Sequence, residues 1–205
     1  SFYPGAMAHA GEISMRELGL AKTDLVVISP NDPSAMIRYA AECCELGVPY
    51  LYDPSQQIVR MNADDLRLGV EGAQSLFVND YEFDLLQKHT GLTLDSILTK
   101  VTFVVITCGE SGASIYTRDQ RFDIPVVPPE RIADPTGVGD AFRGGFLTGY
   151  RLGLDWETCG KMGVLAATYC LEQVGTQSHF YTPADFIGRF HRHFDDQGKL
   201  DVLLK

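Results

Sequence analysis

Asp134-Pro135-Thr136-Gly137-Val138-Gly139-Asp140-Ala141-Phe142-Arg143-Gly144-Gly145 is a stretch in which a helix begins among glycines, with Asp134, Thr136 and Asp140 set around its first turn. A glycine inside a helix costs about 0.5–1 kcal/mol relative to alanine. Gly137, Gly139, Gly144, Gly145 and Gly149 together therefore argue that something requires bare backbone there. If the helix starts near Gly139, the backbone N–H groups of Gly137, Val138, Gly139 and Asp140 lack intrahelical partners and carry the positive end of the macrodipole. Such a place accommodates an anion. Asp140, on the first turn, reaches both that anion and an attacking hydroxyl, whose proton it would accept as a phosphoryl group is transferred; the alternative is that it only compensates the helix N-terminus. Arg143 projects from the same side, three residues on, to meet a phosphate or to stand exposed as a solubilising group. Asp134 and Thr136 either turn the chain or offer oxygens to a cation.

Outward from this stretch the chain alternates strands and helices. Residues 24–29 form a β-branched run, followed by Asp32 as N-cap, Pro33 at the first helical position and apolar spacing up to Leu46 before Gly47. Strands at 49–53, 75–78 and 102–107 then alternate with helices at 63–70 and 80–89 and a further short one. Such alternation predicts parallel pairing through right-handed crossovers. After Thr107, Gly109 and Gly112 mark a turn, and 113–117 with 121–127, split by Arg118-Asp119-Gln120, predict an antiparallel hairpin. Helices are expected over 139–152, 156–172 and 183–194, the last capped by Thr182. The expected architecture is α/β, a three-layer αβα sandwich with a mostly parallel central sheet and an antiparallel edge hairpin. Residues 1–205 are read as a single domain, and sheets of this kind bind ligands at the carboxyl ends of their strands.

Composition limits the partners. The chain has 205 residues, 45% of them hydrophobic, enough for a substantial core, and its net charge of −10 disfavours both nucleic-acid backbones and anionic membrane surfaces. Five cysteines, with Cys43 and Cys44 adjacent and no Cys-x-x-Cys, suggest buried thiols in a reducing cytoplasm. No apolar run reaches the length of a membrane span. The opening Ser1-Phe2-Tyr3-Pro4-Gly5-Ala6-Met7 has no start Met and no secretory pattern; it reads like the middle of a protein, with an N-terminal portion missing. There is no Gly-x₄-Gly-Lys-Ser/Thr, which disfavours P-loop chemistry, and no Gly-x-Gly-x-x-Gly after the first strand, which ranks a nicotinamide-dependent oxidoreductase last. His191 and His193, two apart on an expected helix, point to different faces and do not suggest a metal pair.

The stretch 134–145 resembles the second signature of the PfkB family, the ribokinase-like carbohydrate and nucleoside kinases, although Pro135 and Val138 depart from its commonest form. The resemblance implies that Asp140 is the catalytic base and that Gly137, Val138 and Gly139 supply anion-hole amides. Asn79-Asp80-Tyr81-Glu82, which alone reads as a capped helix start, is similar to the family's Asn-x-x-Glu motif, in which Asn79 and Glu82 would organise Mg²⁺ and phosphates through water. Thr107-Cys108-Gly109-Glu110-Ser111-Gly112, alone a hairpin turn, is similar to the family's Thr-x-Gly-x-x-Gly, which places Thr107, Gly109 and Gly112 at ATP. Thr136, Arg143 and Gly175 would join that nucleotide site. Ala166-Ala167 and Val174-Gly175-Thr176 resemble the adenine-pocket wall, and the resemblance leaves room for K⁺ beside Asp134.

The resemblance extends over essentially the whole chain but corresponds to the later part of a PfkB chain. The earlier part carries the first glycine-rich signature, most acceptor-binding residues and the lid through which members dimerise. Phe2-Tyr3-Pro4-Gly5-Ala6-Met7, Asp53-Pro54-Ser55-Gln56-Gln57, Val78-Asn79-Asp80-Tyr81-Glu82 and Asp140-Ala141-Phe142-Arg143-Gly144-Gly145 look closest to bacterial adenosine-kinase-like members. The resemblance thus implies a kinase that moves the γ-phosphoryl group of Mg-ATP to a primary hydroxyl of a nucleoside, adenosine-like, or of a sugar such as ribose or fructose. The alternative is a non-catalytic nucleotide-binding or regulatory module.

Overall fold

Alternation in the sequence becomes alternation in the chain path. The computed structural model describes residues 5–204, so Phe2, Tyr3 and Pro4 of the resemblance noted above lie outside the described residues. Six strands, β1 (Val26–Ile28), β2 (Tyr50–Tyr52), β3 (Ser75–Asn79), β4 (Phe103–Thr107), β5 (Ala113–Thr117) and β6 (Arg121–Ile124), lie in that order in one sheet. β1, β2 and β3 pair in parallel, with Val26 opposite Tyr50 and Leu51 opposite Ser75. Between them run α1 (Pro33–Leu46) and α2 (Ala63–Glu71), and α3 (Asp80–Thr90) and α4 (Leu94–Leu98) lead from β3 to β4. These crossovers are what parallel neighbours need. β5 and β6 follow each other through a tight turn in which the Thr117 N–H donates to the Gln120 carbonyl at 2.9 Å. The mostly parallel α/β sheet with an edge hairpin is therefore present as expected. No helix among the described residues is long and apolar enough to cross a membrane.

The chain divides into two compact units, one formed by residues up to 106 with 116–120, the other by 107–115 with residues from 121 onward. In the first unit, α1 begins as its sequence dictates: Asp32 accepts from the Ala35 N–H at 3.1 Å, Pro33 occupies the first turn, and Gly47 ends the helix with φ 66°. α1 packs on β1 and α2, α2 on α3, and α3 on β3. Tyr50, Leu51 and Tyr52 of β2 are all buried, and the Tyr50 hydroxyl donates to the Gly69 carbonyl at 2.8 Å. Glu42 on α1 is 2% exposed yet charged. Burial pushes its carboxyl up, but hydrogen bonds from the Met15 N–H (2.6 Å) and the Ser14 hydroxyl (3.0 Å), with Arg16 and Arg38 nearby, leave it below the usual carboxylate range. A buried carboxylate persists only when so satisfied, and the arrangement fastens residues 14–16 to α1.

In the second unit, α5 (Val138–Arg151) and α6 (Trp156–Leu171) form a close antiparallel pair, α6 packs on β6, and α7 (Pro183–Phe190) packs on α6. Glycines permit the approach. A Cβ added to Gly145 would stand 2.6 Å from the Met162 carbonyl oxygen, and one on Gly149 3.0 Å from the Met162 Sδ, whereas one on Gly144 would meet nothing within 4 Å. The bare backbone at Gly145 and Gly149 thus serves helix packing, which corrects the expectation that all five glycines of this region serve a ligand. Ala166 is 2% exposed and lies against Gly145, a packing position.

Two elements end three or more residues before the sequence predicts. β6 ends at Ile124 rather than at residue 127 because Pro125 has no N–H to continue the ladder. α7 ends at Phe190 rather than at residue 194: the Arg192 and His193 amides bond back to Arg189 and Phe190, three residues away, and the turn tightens. His191 therefore sits at the helix C-cap, with its Nε2 2.7 Å from Asp196 Oδ1, and neither it nor His193 lies within the helix.

The α5–α6 contact sets opposite outcomes for adjacent residues. Gly145→Ala places its methyl against backbone and should destabilise the protein by about 1–3 kcal/mol. Gly144→Ala, helical and unobstructed, should stabilise it by about 0.4–1 kcal/mol. Urea unfolding of both variants measures the difference.

Candidate active site

Each unit carries its own cluster. In the first, Asn79 ends β3 and caps α3: its Oδ1 accepts from the Glu82 N–H at 2.8 Å, and Glu82 Oε2 accepts from the Asn79 N–H at 2.8 Å. This is a reciprocal capping box. The other carboxylate oxygen, Glu82 Oε1, accepts from the Ser55 hydroxyl at 2.9 Å. Ser55 has φ 40°, an uncommon conformation for a residue with a side chain. The structure thus joins two sequence stretches, 53–57 and 78–82, through one carboxylate. Glu82 is held on both oxygens, an orientation suited to receiving a hydrated cation through water better than to stripping its shell.

The second unit carries the other candidates. Thr107 ends β4, and the Cys108 N–H donates to the Gly112 carbonyl at 2.7 Å across a turn at Gly109–Ser111. Gly112 has φ 91°, and a Cβ there would stand 2.0 Å from the Ile124 carbonyl oxygen. The turn accepts no larger residue at that point.

The helix start is built from a second loop. The Ala133 and Asp134 amides donate to the Leu171 carbonyl at 2.9 and 3.3 Å, which lays the loop along the C-terminal end of α6. Asp134 then accepts from the Thr136 N–H at 2.9 Å on one oxygen and from the Gly175 N–H at 3.0 Å on the other. Hydrogen bonds from Thr136, then that from Gly175, hold its carboxyl below the usual carboxylate range. Asp134, Thr136 and Gly175 are thereby brought together. Gly137 is the N-cap residue, with φ 83°, and a Cβ on it would come 3.0 Å from the Thr176 Cβ. Only glycine suits both constraints.

α5 starts at Val138, one residue before the sequence-based expectation. Its first i→i−4 bond runs from the Ala141 N–H to the Gly137 carbonyl at 2.9 Å, so the Gly139 and Asp140 amides precede the helical ladder. The Val138 amide instead turns back to the Pro135 carbonyl at 3.4 Å, a correction to the expected set of unpartnered donors. Asp140 and Arg143 face each other across the first turn, Arg143 Nη2 2.5 Å from Asp140 Oδ1. The pair is asymmetric: the Arg143 side chain is 10% exposed and that of Asp140 70%. Arg143 is thus not a solubilising surface group, and burial draws its guanidinium below the ordinary arginine value, though arginine stays charged at any physiological pH. A buried cation presents an exposed carboxylate. Burial, then the charges of Asp134 and Asp140, push Cys170 up, and its thiol donates to the Thr136 carbonyl at 3.6 Å.

Sequence reading missed Glu172, Arg189 and Cys170, which support this loop from α6 and α7. Their signal is a pairing across 17 residues for Glu172 and Arg189 and 34 for Cys170 and Thr136, which no local pattern encodes.

Comparison with known proteins places these clusters in context. The description "pfkB family carbohydrate kinase" matches residues 1–183. The nucleoside kinase of Methanocaldococcus jannaschii is 30% identical over 192 residues, covering 94% of this chain and 62% of that protein. The structure of the Burkholderia thailandensis nucleoside kinase in complex with inosine superposes with a TM-score of 0.90 at 37% identity, over 95% of this chain and 64% of that one. The same enzyme is also known in complex with ADP-inosine. A ribokinase from Thermotoga maritima, 20% identical with a TM-score of 0.66 over 82% of this chain and 57% of that one, shares the fold. The chain thus spans about three fifths of the length of these two nucleoside kinases.

The Asp134 clasp sets a pH dependence. Its carboxyl is depressed in the fold, so the stabilisation is complete above the unfolded value of about 3.9 and is lost as pH falls through the lower folded value. Amide exchange at Thr136 and Gly175 should therefore be protected at pH 5 and should lose that protection only well below the ordinary carboxylate value of about 3.9. Asp134→Ala should remove the protection at both pH values.

Proposed function

Because this chain belongs to the pfkB carbohydrate kinase family, we propose that the protein transfers the γ-phosphoryl group of ATP to a primary hydroxyl of a nucleoside, with Asp140 as the base. The observation that carries this reading is the exposed Asp140 carboxylate, steered by a buried Arg143, on the first turn of a helix that opens with an obligatory glycine. An attacking hydroxyl beside Asp140 loses its proton to Oδ1 or Oδ2 as the O–P bond forms and the bond to the ADP leaving oxygen breaks. The Gly139 and Asp140 amides, with Gly137 and Val138 around them, face the migrating phosphoryl group and stabilise its charge through the helix N-terminus. Thr107, Gly109, Gly112, Thr136 and Gly175 hold the rest of the nucleotide, while Arg143 acts on it through Asp140.

Asn79 and Glu82 would hold Mg²⁺ through water, and the oriented Glu82 oxygens fit that role. That ion would supply neutralisation of the charge developing on the phosphates. Asp134 would take K⁺ on lone pairs not used by the Thr136 and Gly175 amides. A nucleoside, adenosine-like, is preferred over a sugar because the most extensive relatives named above are nucleoside kinases. Residues 1–205 serve in this reading as the ATP-site portion of one ribokinase-like domain, acting on small molecules rather than nucleic acid or membrane, in the cytoplasm, with pairing of two copies through a lid. The span of three fifths of the relatives' length favours a second reading, a module that binds nucleotide without turnover.

A nucleoside and sugar panel with ATP, followed by ADP formation, distinguishes the two. Adenosine-dependent turnover is expected, and Asp140→Asn should reduce kcat by about 10²–10⁴-fold with nucleotide affinity within a few-fold of wild type. Undiminished turnover in that variant removes Asp140 from the mechanism. ADP binding with no acceptor phosphorylated favours the module.

A further inference from the structure

The Glu172 carboxylate lies at the C-terminal end of α6, buried with Arg189 of α7, the side chains 9% and 6% exposed. Arg189 grips it with both terminal nitrogens, Nη1 to Oε2 at 2.7 Å and Nη2 to Oε1 at 2.6 Å, and its guanidinium rests 4.6 Å from the centre of the Tyr169 ring. Were this only a staple between two helices, the carboxylate would need no further partner. It has one: Glu172 Oε1 also accepts from the Glu130 backbone N–H at 2.7 Å. The Glu172 carbonyl accepts from Arg131 Nε at 2.8 Å, and the Leu171 carbonyl from the Ala133 and Asp134 amides. Residues 130–134 are therefore zipped, bond by bond, to the last residues of α6, and the zip ends at Asp134, whose carboxylate clasps Thr136 and Gly175.

From this geometry we infer that Glu172 is a positioning residue, which fixes the register of residues 130–137 on the end of α6 and thereby the placement of the α5 N-terminus and Asp140. The inference rests on the kinase reading for its effect on turnover but not for its effect on the loop. Displacing reacting groups by about 1 Å costs about a hundredfold in rate. One carboxylate thus serves two distinct tasks: charge pairing with Arg189 secures α7, and acceptance from Glu130 secures the loop.

Substitutions can separate the tasks. The exchange Glu172→Arg with Arg189→Glu keeps a buried ion pair between α6 and α7 but leaves no acceptor for the Glu130 amide. Relative to Glu172→Met, the exchange should recover thermal stability, yet amide exchange at Thr136 and Gly175 should remain about tenfold faster than wild type. In the same variant kcat should fall by about ten- to a hundredfold, with KM for ATP within about threefold. Glu172→Gln, which keeps a side-chain oxygen for Glu130 and loses the charge pair, should behave oppositely: lower stability, with near-native exchange protection at Thr136 and Gly175. Wild-type protection and kcat in the exchanged variant would overturn the inference and leave Glu172 a helix staple. Should the exchanged variant not fold, equal loss of protection in Glu172→Gln and Glu172→Met would overturn it, and protection retained in Glu172→Gln alone would support it. Absence of turnover in the wild type would defeat the kinase reading, while the amide-exchange comparison would still decide the role of Glu172.

Discussion

The close contact of α5 with α6 is the constraint on which the second unit depends. Both the helix that presents Asp140 and the helix whose last carbonyls register the preceding loop are fixed by it. The approach rests on Gly145, where a Cβ would collide with the Met162 backbone, and on Gly149, where one would crowd Met162 and Cys159 at 3.0–3.2 Å. Interiors at crystalline density transmit such constraints rather than absorb them. The position of a carboxylate at one end of α5 is therefore decided by the absence of methyl groups about one and a half and two and a half turns further along.

Charge is distributed with similar economy. In a chain of net charge −10, the arginine paired with the proposed base is buried and the base stands in solvent. The reverse arrangement, a buried carboxylate with an exposed arginine, would desolvate the group that must exchange a proton. A lysine at position 143 would carry the charge but not the planar fork that fixes direction. In the first unit, Glu42 shows the opposite solution, a carboxylate buried outright and satisfied by two protein donors and two arginines, where no proton has to move.

Much of this was legible in the sequence because it is local. Asp32-Pro33, Asn79-x-x-Glu82 and Thr182 cap helices through atoms three residues apart, and the alternation of apolar runs with capped helices carries the parallel sheet. The stretch 134–145 disclosed the helix start within one residue. What was not legible is long-range or steric. The partner of Glu172 lies 17 residues on, and the fit of Ser55 against Glu82 depends on a backbone angle that serine rarely adopts. The glycines were all visible, but whether each faces Met162 or open solvent is a property of the packed pair. Helix 183–190 and strand 121–124 ran short of expectation for one shared reason: hydrophobic periodicity continues past the point where backbone hydrogen bonding stops.

The brevity of β6 has its own consequence. It is the last strand in the sheet order, and an outer strand offers unpaired amides and carbonyls to any passing extended chain. Here the invitation is withdrawn within four residues. Arg121 and Asp123, ion-paired at 2.8 Å, place opposite charges along the margin, and Pro125 interrupts the row of donors at once. The hairpin can thus close the sheet without also serving as a template for fibril growth.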